Sequence, residues 1–178
     1  WIIDWRRFFE IDNSVTPQPS RKLDPFLVDP LRNLPNVPEP NSLAVRNLLR
    51  SRSLGLPTGQ SIARHMRIKP LSPEELASGS EGAVVKKHGF DRETPLWYYI
   101  LKEALVKNDG LHLGPVGSRI IAEVFVGLLE GDTGSFLYNN PDWTPFLPSA
   151  VPNHFTMVDL LRFVGELSPI DDPANLNQ

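Results

Sequence analysis

Asn47 and Arg50 set an amide and a guanidinium one helical turn apart in this sequence. They stand three residues apart in SLAVRNLLRSRSLGLP, residues 42–57, a stretch otherwise rich in leucine. On a helix that spacing makes them neighbours on one surface, with Leu43 and Leu54 close to the same stripe. An arginine's planar fork pairs two carboxylate oxygens, and a neutral amide orients a partner without adding charge. Taken alone, Asn47 reads as a polar residue on a solvent face and Arg50 as a surface arginine with its stem laid along the helix.

The other polar candidates are weaker. His65, His88, His112 and His154 fall beside glycines, in loops or after a short helix, and no pair has the H-E-x-x-H spacing of a helical metal site. All four read as surface or loop histidines. Gly114-Pro115-Val116-Gly117 lacks the spacing of a phosphate loop and follows no strand. The chain has no cysteine, which removes disulfides, thiolate metal sites and a thiolate haem ligand from within it. The net charge of -3 offers no basic excess for nucleic acid. No apolar run approaches the roughly 20 residues of a membrane span. At 178 residues, 40% hydrophobic and 22% charged, the composition is that of a folded domain rather than a disordered one.

The elements that must carry these residues are helices. Asn41 or Ser42 caps a helix through about Ser53, with Gly55 as a left-handed stop. Thr58 caps a short helix, Gly59 to about Met66. Ser72, Pro73 and Glu75 form a capping-box start to a helix that breaks near Gly79. A turn or two from Glu81 to His88 ends at Gly89. Thr94-Pro95 opens a helix from Leu96 to about Lys107, with Trp97, Ile100, Leu101, Ala104 and Leu105 as its apolar face. The longest helix runs from about Val116 to Glu130, with Ile120, Ile121, Val124, Phe125, Leu128 and Leu129 expected on its buried side. Thr156 to Val164 is a last amphipathic helix, and Ile2 to Ile11 a first short one. Proline is the outlier: 18 of 178 residues, against a usual share of ~5%. Seven of them lie between Pro17 and Pro40 and forbid a long helix there. Leu23, Phe26, Leu27, Val28, Leu31, Leu34 and Val37 suggest that this connection lies against a body. The expected fold is all-α, with long irregular proline-rich connections. Residues 1–165 form one part of it and 166–178 a polar C-terminal tail.

Asn47, Arg50, Ser51, Arg52, Gly55, Leu56 and Pro57 together reproduce the pattern N-x-x-R-S-R-x-x-G-L-P. In this the chain resembles the animal-type haem peroxidases, the peroxidase–cyclooxygenase superfamily, in which such a helix runs beside the haem. WIIDWRRFF, PLWYYILKEA and GPVGSRIIAEVFVGLLEGD are similar to its bacterial members. Ser53-Leu54 stands where many members carry Asp-His, which sets the chain apart from the mammalian branch. The likeness extends from Trp1 to about Val164 and covers the C-terminal portion of the family's domain. The opening WIIDWRRFFEID, without Met, reads like the interior of a helix and so like a piece of a longer protein.

What the resemblance implies is specific. The parent would reduce hydrogen peroxide or an organic hydroperoxide on haem and oxidise a small-molecule electron donor. Asn47 would accept a hydrogen bond from the ring N–H of the proximal histidine, and Arg50 would meet a haem propionate. Leu43 would line the haem pocket, while Arg52 would make a structural salt bridge. The proximal and distal histidines would lie upstream of Trp1, in the rest of the parent domain, so that the iron ligand is expected outside this chain. Two other readings remain at this point. One is a fatty-acid dioxygenase of the same superfamily, whose distinguishing tyrosine would also lie upstream. The other is a non-catalytic helical interaction module, which calls for a polar surface with no truncated apolar face.

Overall fold

The structure, a computed structural model, describes residues 3–165. Among them the regular elements are helical, with two isolated bridges, Thr58 to Pro95 and Val151 to His154, in place of any sheet. The chain divides into two compact units: Lys22–Leu129, and Trp1–Arg21 together with Glu130–Gln178. No helix of the described residues is long and apolar enough to cross a membrane.

The helices are α1 (Asp29–Arg32), α2 (Leu43–Ser53), α3 (Gly59–His65), α4 (Pro73–Leu76), α5 (Gly82–Lys87), α6 (Leu96–Asn108), α7 (Pro115–Gly131), α8 (Phe136–Asn139) and α9 (Met157–Val164). In the Lys22–Leu129 unit, α6 is the central helix and packs on α2, α3 and α4, while α1 packs on α2. Its core joins Ala63, Leu71, Leu76, Tyr99 and Val116, flanked by Ile62, Met66, Ile68, Val106 and Ile120. Tyr99 is the pivot. Its hydroxyl accepts the Leu71 N–H at 3.0 Å, and its ring lies so close to α3 that a Cβ on Gly59 would come within 2.0 Å of Tyr99 Cγ. Only glycine fits there. The Thr94 and Gln60 side chains close the same corner: Gln60 Nε2 donates to Thr94 Oγ1 at 2.7 Å, and Thr94 N–H to Gln60 Oε1 at 3.1 Å.

Helix ends follow their chemistry. The Ser72 hydroxyl accepts the Glu75 N–H and Glu75 accepts the Ser72 N–H, completing the capping box of α4. The Thr58 hydroxyl caps α3 by accepting the Ser61 N–H, without a reciprocal bond to its own backbone. The proline-rich segment is irregular as expected, apart from the single turn α1. It is tied to the body by Leu23 N–H to Gly110 O at 2.8 Å and by the Lys22–Asp109 ion pair. Leu27, Val28, Leu31, Leu34 and Val37 are half-buried, whereas Leu23 and Phe26 stay exposed.

Three expectations require correction. The helix expected over Ile2 to Ile11 is, in its described part, one 3-10 turn, Trp5–Arg7. Asp4, extended at φ -87° and ψ 101°, caps the turn by accepting the Arg6 N–H and the Arg6 guanidinium, so the helical segment begins only at Trp5. On α6 the fully buried positions are Tyr99, Lys102, Glu103 and Ala104, while Trp97, Ile100, Leu101 and Leu105 are half-buried. On α7 the expected apolar face is exposed at Ile121, Val124, Phe125, Leu128 and Leu129. Val116 and Gly117 alone of this helix are buried, and Ile120 is half-buried. The tail expected over 166–178 lies outside the described residues.

In the second unit, α9 is held by a capping box between Thr156 and Asp159 and ends at Gly165 in the left-handed conformation. Asp159 also accepts the Ala150 N–H at 2.8 Å. Its carboxyl is held below the ordinary range, first by the Thr156 hydroxyl and then by the backbone N–H groups of Ala150 and Thr156. Arg162 donates to Ile11 O at 2.6 Å, joining α9 to the N-terminal segment of its own unit, where Ile11 and Leu161 are buried.

Candidate functional site

α2 brings Asn47 and Arg50 to an open groove of about 270 Å³. Leu54 and Leu56 line it from the end of α2 and the turn that follows, and Leu96, Trp97 and Ile100 line it from α6. Ser51, buried, completes the lining. The turn that sets the two leucines depends on Gly55, at φ +61°, and on the Leu56 N–H donating to Ser51 O at 3.0 Å. The seven-position sequence pattern thus has a local structural meaning: it folds the chain back so that Leu56 lies beside Arg50.

Asn47 is half-buried and Arg50 is exposed. Among the described residues neither the Asn47 amide nor the Arg50 guanidinium has a hydrogen-bond or ion-pair partner, and the Trp97 indole N–H has none either. Three donor groups therefore border one apolar groove without being used by the fold. By contrast, Arg46 on the same helix donates to Pro40 O. Arg52, expected in a salt bridge, is exposed and pairs with no carboxylate among the described residues; on the helices packed against α2, Asp29 pairs with Arg32 and Glu103 accepts the Val116 and Gly117 N–H groups. Leu43 is half-buried at the first turn of α2 and does not line the groove.

An unpaired guanidinium and amide above walls of leucine, isoleucine and tryptophan suit the edge of a flat apolar group that bears carboxylates. The volume lies below the ~300–1,000 Å³ of sites that enclose a drug-sized ligand. The groove can hold an edge and not a whole macrocycle. The haem expected from the sequence fits it in that restricted sense: Arg50 matches a propionate, and the apolar walls match the ring periphery.

Trp97, Ile100 and Leu96 were not legible as lining residues. The first two belong to a stripe that reads as core, and spacing alone does not separate a core stripe from a groove wall. The four histidines are exposed, as expected of loop and surface positions. Among the described residues no three of His, Cys, Asp or Glu gather as a metal-binding group.

Two other polar sites stand apart from the groove. An open cleft of about 720 Å³ is lined by Pro73, Glu74, Lys86, Lys87, Gly89, Asp91 and Arg92, where two carboxylates offset most of the charge of three cations. Within the fold, Lys102 is 1% exposed and donates to Glu81 Oε1 at 2.6 Å and to the Ser78 carbonyl. Burial pushes the Glu81 carboxyl up, yet the hydrogen bond and charge of Lys102 outweigh it and hold the group below its ordinary value. The Tyr98 hydroxyl, buried and without a well-formed hydrogen bond, is pushed far up, first by burial and then by the Glu81 charge. Compared with family models, with curated proteins and with solved structures, the chain matches none of them.

Proposed function

We propose that this chain is the C-terminal part of a haem peroxidase domain that reduces hydrogen peroxide or an organic hydroperoxide and oxidises a donor. The observation that carries the reading is the groove itself. The asparagine and arginine of the N-x-x-R-S-R-x-x-G-L-P pattern face one apolar cleft, and nothing in the described fold uses their polar groups. Haem, when bound, supplies the redox chemistry. The chain's own residues orient it. Asn47 would offer its amide oxygen to the ring N–H of an iron-bound imidazole, fixing the tautomer while leaving the ring less anionic than a carboxylate partner would. Arg50 would pair a propionate through its planar fork.

A second feature supports a larger domain over a free-standing interaction module. The second half of α7 is apolar and bare, with Phe125 61% and Leu128 65% exposed, where a module working alone calls for a polar surface.

Arg50→Ala, placed in the haem-loaded full-length parent, tests the assignment through haem transfer to an acceptor globin. A hydrogen bond to a charged group is worth about 1.5–3 kcal/mol, so the variant should lose haem roughly ten- to a hundredfold faster. Equal rates for variant and wild type would show that Arg50 does not hold the cofactor.

A further inference from the structure

We infer that Trp97 is a positioning residue for the ligand of this groove: from α6 it supplies the wall against which the edge of a flat, carboxylate-bearing macrocycle lies, while Arg50 holds the carboxylate from α2. The inference rests on the haem reading above and adds the second side of the site, which the sequence pattern does not reach. Three observations carry it. Trp97 lines the same groove as Asn47 and Arg50. It is half-buried on the first turn of α6, so its ring is part wall and part open surface. Its indole N–H, not enclosed by the fold, has no hydrogen-bond partner among the described residues and is open to a ligand.

The chemistry follows from the shapes. α2 contributes point contacts at the rim, and these fix a carboxylate but leave a ring free to pivot about it. An aromatic face across the groove removes that freedom, because offset stacking favours one plane. α6 is packed on α2, α3 and α4 and anchored through Tyr99 and Lys102. A tryptophan on its first turn is therefore a rigid reference for the ligand plane.

Iron-free protoporphyrin is the probe, since it keeps the plane and both propionates and requires no iron ligand. Binding to the 178-residue chain is followed by porphyrin absorbance and by quenching of tryptophan emission. Trp97→Leu should weaken porphyrin binding about three- to tenfold, the range expected for loss of one aromatic contact. It should also abolish the quenched component, with far-UV dichroism unchanged. Trp97→Phe, which keeps a ring, should recover part of the affinity. Dodecanoate, a carboxylate without a plane, should depend on Arg50 but not on Trp97. Equal porphyrin affinity in wild type and Trp97→Leu, or no porphyrin binding at all, would overturn the assignment. Equal weakening of dodecanoate and porphyrin would do the same, making the groove a site for a flexible amphiphile. If Trp97→Leu is silent while Arg50→Gln still weakens porphyrin, the haem reading stands and only the α6 wall falls. If porphyrin quenching follows Trp97 but Arg50→Ala does not speed haem loss from the parent, the reverse holds.

Discussion

α6 and α7 are consecutive helices of similar length, and each buries what the other's composition would suggest. α6 encloses a lysine and a glutamate, Lys102 at 1% and Glu103 at 2% exposure, and leaves Ile100 and Leu101 only half covered. α7 carries one of the most apolar runs in the chain and shows Ile121, Val124, Phe125, Val126 and Leu128 to the outside. The difference lies in partners rather than hydropathy. Lys102 is met by Glu81 and the Ser78 carbonyl, and Glu103 accepts the N–H groups of Val116 and Gly117, so both charges are buried without being orphaned. Residues 121–131 of α7 are all exposed. Burial in this unit is decided by what stands opposite a side chain, and the second half of α7 is an open apolar face.

The largest effect that would break this comparison is at Lys102. Lys102→Ala should destabilise the Lys22–Leu129 unit by on the order of 3–5 kcal/mol, because Glu81 is left without its partner. Pairing Lys102→Met with Glu81→Gln should recover much of that loss, since the penalty belongs to the stranded charge and not to the missing bond. Urea unfolding of the three proteins measures it. If Lys102→Ala costs under about 1 kcal/mol, the lysine is not enclosed as described and α6 loses its contrast with α7.

Glu103 gives a smaller and pH-dependent effect. Burial raises its carboxyl above the ordinary value, against the lowering by the Gly117 and Val116 N–H groups and by Lys107. The folded chain thus keeps a proton that the unfolded chain has already lost. That contribution is complete below the ordinary carboxyl pKa and is lost as pH rises through the raised folded value. Glu103→Gln keeps an acceptor for the two N–H groups and cannot titrate. Wild type should therefore lose stability relative to Glu103→Gln as pH rises from about 4 towards neutrality. A difference that does not change with pH would mean that the carboxyl is solvated. Glu103→Ala, which strands both N–H groups at the start of α7, should cost about 1–3 kcal/mol at any pH.

The contrast also marks what was legible in the sequence. Elements with chemical end signals emerged where expected: α4 from Ser72, Pro73 and Glu75, α2 from its stop at Gly55, and α9 from Thr156. The single turns α1 and α8 carry too few residues to show a period. The burial of Lys102 was hidden because its partner Glu81 lies 21 residues away, beyond the reach of any periodicity rule. Asn47 and Arg50 could be picked out because their neighbours form a pattern, but Trp97 could not, since its side of the groove comes from another helix. A motif names one wall of a site; the facing wall is tertiary structure.

The smallest effect on stability should come from α7, and it is the sharpest test of the comparison. Phe125→Glu with Leu128→Lys replaces two large apolar side chains that are 61% and 65% exposed. Were these residues core, the pair would cost several kcal/mol, because truncating one buried Leu or Phe alone costs about 2–5. Exposed as they are, the two changes should each stay within roughly 0.5 kcal/mol, and the new charges stand one helical turn apart, where they attract. What should change is behaviour in solution. Wild type, with a contiguous apolar face on one helix, should bind a hydrophobic dye and self-associate as concentration rises, and the double variant should do neither. Urea unfolding and dye titration on the same two proteins separate the alternatives. An unchanged midpoint with lost dye binding means a bare face that natural cover would hide. A midpoint that falls by the equivalent of several kcal/mol in unfolding free energy would mean that this helix already has its cover within the chain, and the case for a larger domain would lose its second support.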